Sequence, residues 1–271
     1  MKLQPKAVFI DLDGTLLDRG FWHYARISNK NIEAIHRIKE KFPVVISTGR
    51  SLNDQTKKII QLLGINYAVC QNGSVIIDKD FNYLRNIVLD NDLVKAIAQK
   101  VEEWKLTFSI NSTNEIYGNK TKTYLISKFS HLIPEKFANA KIPLNGVNKL
   151  LIIGFSKIKI KKFAKYLENN FNGITVKIVG RNWAIEVTDK NATKGLANAF
   201  VAKKYLKIDP KETIHIGDSM NDSTVIGHMG KLISMKNSIK KFKKIAHEVG
   251  PNRKNGGVAK ILSKEFPQNI S

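Results

Sequence analysis

Two kinds of apolar pattern alternate along the chain. "AVFI" (7–10), "PVVIS" (43–47), "YAVC" (67–70) and "TIHIG" (213–217) are short runs with few polar interruptions. Such runs read as strands covered on both faces. Between them the apolar residues recur at three- and four-residue steps. Ile32, Ile35 and Ile38 mark one face of a helix over 29–41, with Ser28 or Asn29 as its cap. "SLNDQTKKIIQLLG" (51–64) reads as a second helix, opened by Ser51 and stopped by Gly64. "NG" at 72–73 marks a turn before "SVII". Strand, helix, strand, helix, strand in that order predicts a parallel sheet with helices on its faces.

From about residue 80 the texture changes. "LTFSI", "EIYG", "KLLIIGF", "ITVKIVG" and "WAIEVT" are strand-like, often in adjacent pairs, with helical stretches at 91–104 and 156–170. Adjacent strands on short links predict antiparallel pairing. After Thr188 the first texture returns, with a helix over 193–206, the 213–217 strand, a short helix and "KLISM" at 231–235. The final "SKEFPQNIS" reads as frayed. The pattern therefore predicts an α/β core from residues 1–80 and 189–271, and an inserted α+β module over 81–188.

Composition narrows the class. Hydrophobic residues at 42% and charged residues at 25% describe a globular chain. No run approaches the ~18 apolar residues of a membrane helix, and the N-terminus lacks a signal-like apolar stretch. With Cys70 the single cysteine, no intrachain disulfide can form. A soluble cytoplasmic protein is the expectation. The net charge of +22 is spread evenly, since residues 81–188 carry +9 and the other 163 residues +13. Only seven of 45 basic residues are Arg, the residue suited to base readout. This argues for a compositional habit rather than a nucleic-acid surface, although the charge would draw in anionic substrates.

Chemistry concentrates where three buried strands end: "VFIDLDGT", "VVISTGRS" and "IHIGDSMND". In open parallel sheets, ligands bind outside the carboxyl ends of the strands. Asp11 and Asp13 project to the same side of an extended segment. With Asp218 and Asp222 they make an oxygen-rich acidic pocket, for which Mg²⁺ is the expected occupant.

These residues resemble a family. "DLDGTLLD", "STGR", Lys194 in "DKNATKGLA", and "GDSMND" are similar to the four motifs of the haloacid dehalogenase-like (HAD) superfamily. The insertion between the second and third motifs resembles the Cof-type phosphatases, as do "CQNGSVI", "WAIEVTDKNATKG" and "SMKNSIKKFKKIAHEV". The resemblance implies a Rossmann-like core with an inserted cap that closes over the site and selects substrate. It implies a Mg²⁺-dependent phosphatase working through an aspartyl-phosphate, with Asp11 as nucleophile and Asp13 as acid and base. Asp11, Asp13 through its main-chain carbonyl, and Asp218 would ligate the metal, with Asp222 touching it or holding the residues that do. Leu12, Thr48, Gly49, Lys194 and Asn221 would bind phosphate. Implied substrates are sugar phosphates, nucleotides and phosphorylated cofactors. A sugar phosphomutase and a nucleic-acid-binding protein on the same scaffold are the alternatives.

Other residues take plainer readings. Cys70 ends an apolar strand and reads as core. His215 alternates with Ile214 and Ile216 and reads as structural, and Trp183 as packing. Lys157 to Lys165 form the wet face of a helix. For Arg50, substrate binding and capping of the following helix both stand.

Overall fold

The computed structural model describes residues 3–20, 26–111, 115–130, 133–136 and 145–267. In chain order the elements begin β1 (Ala7–Ile10), α1 (Asn29–Lys39), β2 (Val44–Ser47), α2 (Asp54–Leu63), β3 (Tyr67–Cys70), β4 (Val75–Asp78) and β5 (Tyr83–Asn86). They continue with α3 (Asn91–Glu103), β6 (Thr107–Ile110), β7 (Glu115–Gly118), α4 (Lys120–Ser130), β8 (Ile133–Lys136), β9 (Lys149–Ile153), α5 (Lys157–Asn170), β10 (Ile174–Val179) and β11 (Ala184–Asp189). The last six are α6 (Lys194–Val201), β12 (Thr213–Gly217), β13 (Lys231–Ser234), α7 (Lys240–Ile245), β14 (Glu248–Val249) and α8 (Gly257–Glu265). The chain divides into two units, one of Met1–Arg85 with Ala192–Ser271, the other of Asn86–Asn191.

The first unit holds an eight-stranded sheet in the order β14-β13-β12-β1-β2-β3-β4-β5. β14 through β3 run parallel, and β4 returns antiparallel to β3. Every residue of β1 and β2 is buried, because successive side chains enter different cores. Val8, Ile10, Val44 and Ile46 pack with Ile35 and Ile38 of α1, Ile60 of α2 and Ile261 of α8. Phe9 and Val45 pack with Ala197 and Val201 of α6 and Phe242 of α7. Cys70 is fully buried in the first of these cores, and burial pushes its thiol up to about 12.

The second unit holds a six-stranded sheet in the order β10-β11-β9-β6-β7-β8. Its pairings are antiparallel except the parallel β7–β8. Phe108, Ile110, Leu150, Ile152, Ile185 and Val187 pack on α3 and α5 through Ile97, Val101, Ile160 and Phe163. The lysine-bearing α5 buries Ile160, Phe163, Ala164 and Leu167 between its exposed positions.

Several local expectations shift. Asn53, not Ser51, caps α2: its Oδ1 accepts from Thr56 N at 2.9 Å. Ser28 holds the N-cap position of α1 as expected, but its side chain does not bond the first turn, because its hydroxyl donates to Asp18 Oδ2 at 2.6 Å. The α6 helix ends at Val201 and continues as a π-helical turn, Ala202–Leu206. The frayed end is shorter than expected, since α8 reaches Glu265 and Phe266 is buried; residues 268–271 lie outside the described residues.

Candidate active site

β12, β1, β2 and β3 lie side by side and parallel, so their carboxyl ends open onto one edge. Asp11 follows β1, Thr48 and Gly49 follow β2, Gln71 and Asn72 follow β3, and Asp218 follows β12. Gly14, at φ 79°, lets the first loop turn directly against the last: a Cβ there would stand 2.0 Å from Asp218 Oδ2.

Lys194 enters from the first turn of α6, whose cap is Thr193, the acceptor for Leu196 N at 3.2 Å. Its ammonium donates to Asp11 Oδ1 at 2.6 Å and Asp222 Oδ1 at 2.7 Å, with the lysine side chain fully buried. Asp222 is saturated. Oδ1 also accepts from His215 Nε2 at 2.8 Å, and Oδ2 accepts from Asp218 N at 3.2 Å and Ser219 N at 3.1 Å. The Asn198 amide donates to His215 Nδ1 at 3.2 Å and accepts from Ser47 Oγ at 2.8 Å, which leaves the proton on Nε2. His215 is thus the buried structural residue that its alternation predicts.

Charge is unevenly met here. Burial opposes ionisation of Asp222, but Lys194 and the His215 N–H outweigh it and hold its carboxyl well below the usual range. Burial would lower Lys194, yet Asp11 and Asp222 hold it above its ordinary value. Asp11 is raised by burial more than Lys194 lowers it, with Asp222 and Asp218 adding to the rise. Asp218 is pushed up to about 7 by burial and then by Asp222. Burial lowers His215, against the pull of Asp222. Lys194 bonds two of these three carboxylates, Asp11 and Asp222.

The residues fit a hard divalent cation. Oxygens of Asp11, Asp218 and Asp222 lie within 4.8 Å of one another; with Asp222 taken up by its four N–H donors, Asp11 and Asp218 are the carboxylates left to offer the oxygen ligands that suit Mg²⁺. Among the described residues, three buried side-chain polar atoms have no partner: Thr15 Oγ1, Arg50 Nη1 and Gln71 Oε1. All three sit on the loops after β1, β2 and β3. Arg50 Nη1 is left wanting an acceptor and Gln71 Oε1 a donor, which water or a ligand would supply.

Asp13 is placed differently from Asp11. Its side chain is 55% exposed and is clamped by Arg50, whose Nε donates to Oδ2 at 2.7 Å and Nη2 to Oδ1 at 2.6 Å. Arg50 therefore neither caps α2 nor stands free. The Leu12 side chain is in the hydrophobic core, so only its backbone can serve the site. Thr48 is buried and its Oγ1 accepts from Arg50 N at 3.1 Å. Asn221 Nδ2 donates to Asn72 Oδ1 at 2.8 Å, a pairing across 149 residues. The "NG" at 72–73 reads in the sequence as a turn within the Cof-like "CQNGSVI" stretch, with no site role; its position after a fourth parallel strand was the available signal.

A largely parallel α/β sheet with an acid cluster and a buried lysine at its carboxyl edge has the make-up of an α/β enzyme site. The pattern of the haloacid dehalogenase-like hydrolases matches residues 8–262, and the chain belongs to that family. It is 26% identical over 289 residues to Phosphatase YwpJ of Bacillus subtilis, covering 95% of this chain and 98% of the relative. It is 25% identical over 260 residues to a phosphoglycolate phosphatase of Archaeoglobus fulgidus, covering 96% of each. A solved structure from a study of HAD phosphatases, BT1666 of Bacteroides thetaiotaomicron, shares the fold with TM-score 0.82. Identity there is 17%, over 96% of this chain and 95% of that one. Among the described residues no helix is long and apolar enough to cross a membrane.

Proposed function

We propose that the chain is a Mg²⁺-dependent phosphomonoesterase that hydrolyses small phosphorylated metabolites through an aspartyl-phosphate on Asp11. The observation that carries this reading is Lys194, buried between Asp11 and Asp222 and fixed to both. A lysine so held fixes the rotation of the Asp11 carboxylate and supplies a rigid positive charge beside it, at no reorganisation during reaction.

Asp11 attacks phosphorus as the bond to the leaving oxygen breaks, and Asp13 gives that oxygen a proton. Asp13 then takes a proton from water as the water oxygen attacks the same phosphorus, and phosphate departs from Asp11. Both Asp13 oxygens accept N–H bonds from Arg50, so proton donation by Asp13 requires this pair to open. Thr48, the backbone at Leu12 and Gly49, Asn221 and Lys194 would receive the phosphate oxygens.

Asp11, Asp218 and the Asp13 carbonyl would hold Mg²⁺, while Asp222, spent on four N–H donors, anchors Lys194 and the 218–222 loop. When bound, the ion would offset repulsion between carboxylate and phosphate and spread transition-state charge. Substrate choice is assigned to the inserted unit, with small phosphorylated acids and sugar phosphates the first to try.

The test is release of phosphate from p-nitrophenyl phosphate. Asp11→Asn should lose activity by at least about 10³-fold, and chelation of Mg²⁺ should abolish wild-type turnover reversibly. Normal turnover in either case sinks the proposal.

A further inference from the structure

We infer that Asn72 is a positioning residue that sets the orientation of the Asn221 amide and the spacing of the phosphate cradle. The inference rests on the phosphatase reading and adds to it a residue from a fourth strand end.

Asn72 is buried, in the left-handed region at φ 56° and ψ 24°. Its backbone N–H donates to Thr48 O at 3.1 Å, which ties it to the loop that offers Thr48 and Gly49. Its side-chain oxygen lies against that loop too: a Cβ on Gly49 would stand 2.9 Å from Asn72 Oδ1. The same oxygen accepts from Asn221 Nδ2 at 2.8 Å. On the far side, Gly73 is packed on the residue before Lys194, where a Cβ would meet Thr193 O at 2.3 Å. One short segment thus touches the loop after β2, the loop after β12 and the start of α6.

Two contacts define the Asn221 amide. Its Nδ2 donates to Asn72 and its Oδ1 accepts from Ser219 Oγ. An asparagine amide has two N–H donors, so one remains for a phosphate oxygen. Without the Asn72 acceptor the amide can turn over and present Oδ1, an acceptor, to an anion that accepts as well. Asp at position 72 would keep the acceptor but place a negative charge in the cradle. Asn also tolerates the left-handed backbone better than most residues.

The plainer account makes Asn72 merely the left-handed residue of a turn. Asn72→Gly separates the two, because Gly keeps the turn and deletes the amide. Steady-state turnover of p-nitrophenyl phosphate and inhibition by inorganic phosphate are measured for wild type, Asn72→Gly, Asn221→Ala and the double variant. Asn72→Gly should raise KM and the phosphate inhibition constant at least about tenfold, with kcat much less affected. In the Asn221→Ala background the same change should do little, because the two act as one unit. Wild-type kinetics in Asn72→Gly, or losses that multiply in the double variant, overturn the inference and leave the phosphatase reading standing. A wild type that turns over no phosphate ester overturns that reading, and this inference with it. If the glycine variant does not fold, Asn72→Ala decides, since it also deletes the acceptor without adding charge: phosphate should bind at least about tenfold more weakly, and unchanged binding is fatal.

Discussion

The two sheets bury polar groups in different ways. In the Met1–Arg85 and Ala192–Ser271 unit, the central parallel strands are apolar on both faces, and polar residues are displaced to one edge. In the Asn86–Asn191 unit, Phe108, Ile110, Leu150 and Ile152 fill one face, and Thr107, Ser109 and Lys149 alternate onto the other. Each unit holds a buried lysine. Lys194 meets two carboxylates at 2.6 and 2.7 Å, whereas Lys149 meets Glu186 at 3.7 Å. Parallel strands concentrate charge at their ends; alternating strands spread it along their length. Convergence at an edge gives tight, mutually dependent contacts, and dispersal gives loose ones.

Four measurements probe that contrast. Lys194→Met leaves two buried carboxylates facing one another and should lose on the order of 3–5 kcal/mol in urea unfolding. Lys149→Met should lose only about 1 kcal/mol, because the pair is loose and Glu186 is partly exposed. Equal losses would erase the distinction. Gly73→Ala combines φ 108° with a backbone oxygen 2.3 Å from the new Cβ, and should cost more than about 2 kcal/mol. Gly173→Ala, at φ 79° with nothing within 4 Å, should cost about 1 kcal/mol.

Helix caps test whether the units respond separately. Asn53 caps α2, and Asp90 caps α3 by accepting from Asp92 N and Leu93 N. Replacing either by Ala should cost about 1 kcal/mol. Because each unit has its own core, Asn53→Ala should move one unfolding transition and Asp90→Ala another. A single transition moved by both would show one cooperative block. The smallest effect belongs to Glu248 on β14. Burial would raise it, but Lys231 and Lys264 outweigh burial and hold it below the usual carboxylate range. Its contribution is present above its unfolded pKa and lost as pH falls through the depressed folded value. Glu248→Gln should remove under about 1 kcal/mol of acid-dependent stability, read from unfolding midpoints between neutral and acid pH.

The core strands were legible because burial on both faces writes an uninterrupted apolar run. The convergence of Asp11, Asp218 and Asp222 was legible because each directly follows a strand of that kind or lies in the loop after it. Other features were hidden for physical reasons. β5 carries "YLRN", with little burial and no alternation to read. Asn53 and Ser51 are both competent caps, and only the geometry of α2 chooses between them. Ser28 has the chemistry of a cap, but Asp18 takes its hydroxyl. Arg50 on Asp13 and Asn72 on Asn221 are long-range pairs, set by which strands are neighbours rather than by local pattern.

Cys70 closes β3 one residue before the Gln71–Gly73 segment, deep in the core and with its thiol held un-ionised by burial. Thiolate is the species that alkylating reagents capture, so the folded chain should be inert to them at neutral pH. The protein thereby carries its own chemical stopwatch: the rate of labelling at this single thiol reports how often the β3 end of the sheet comes apart.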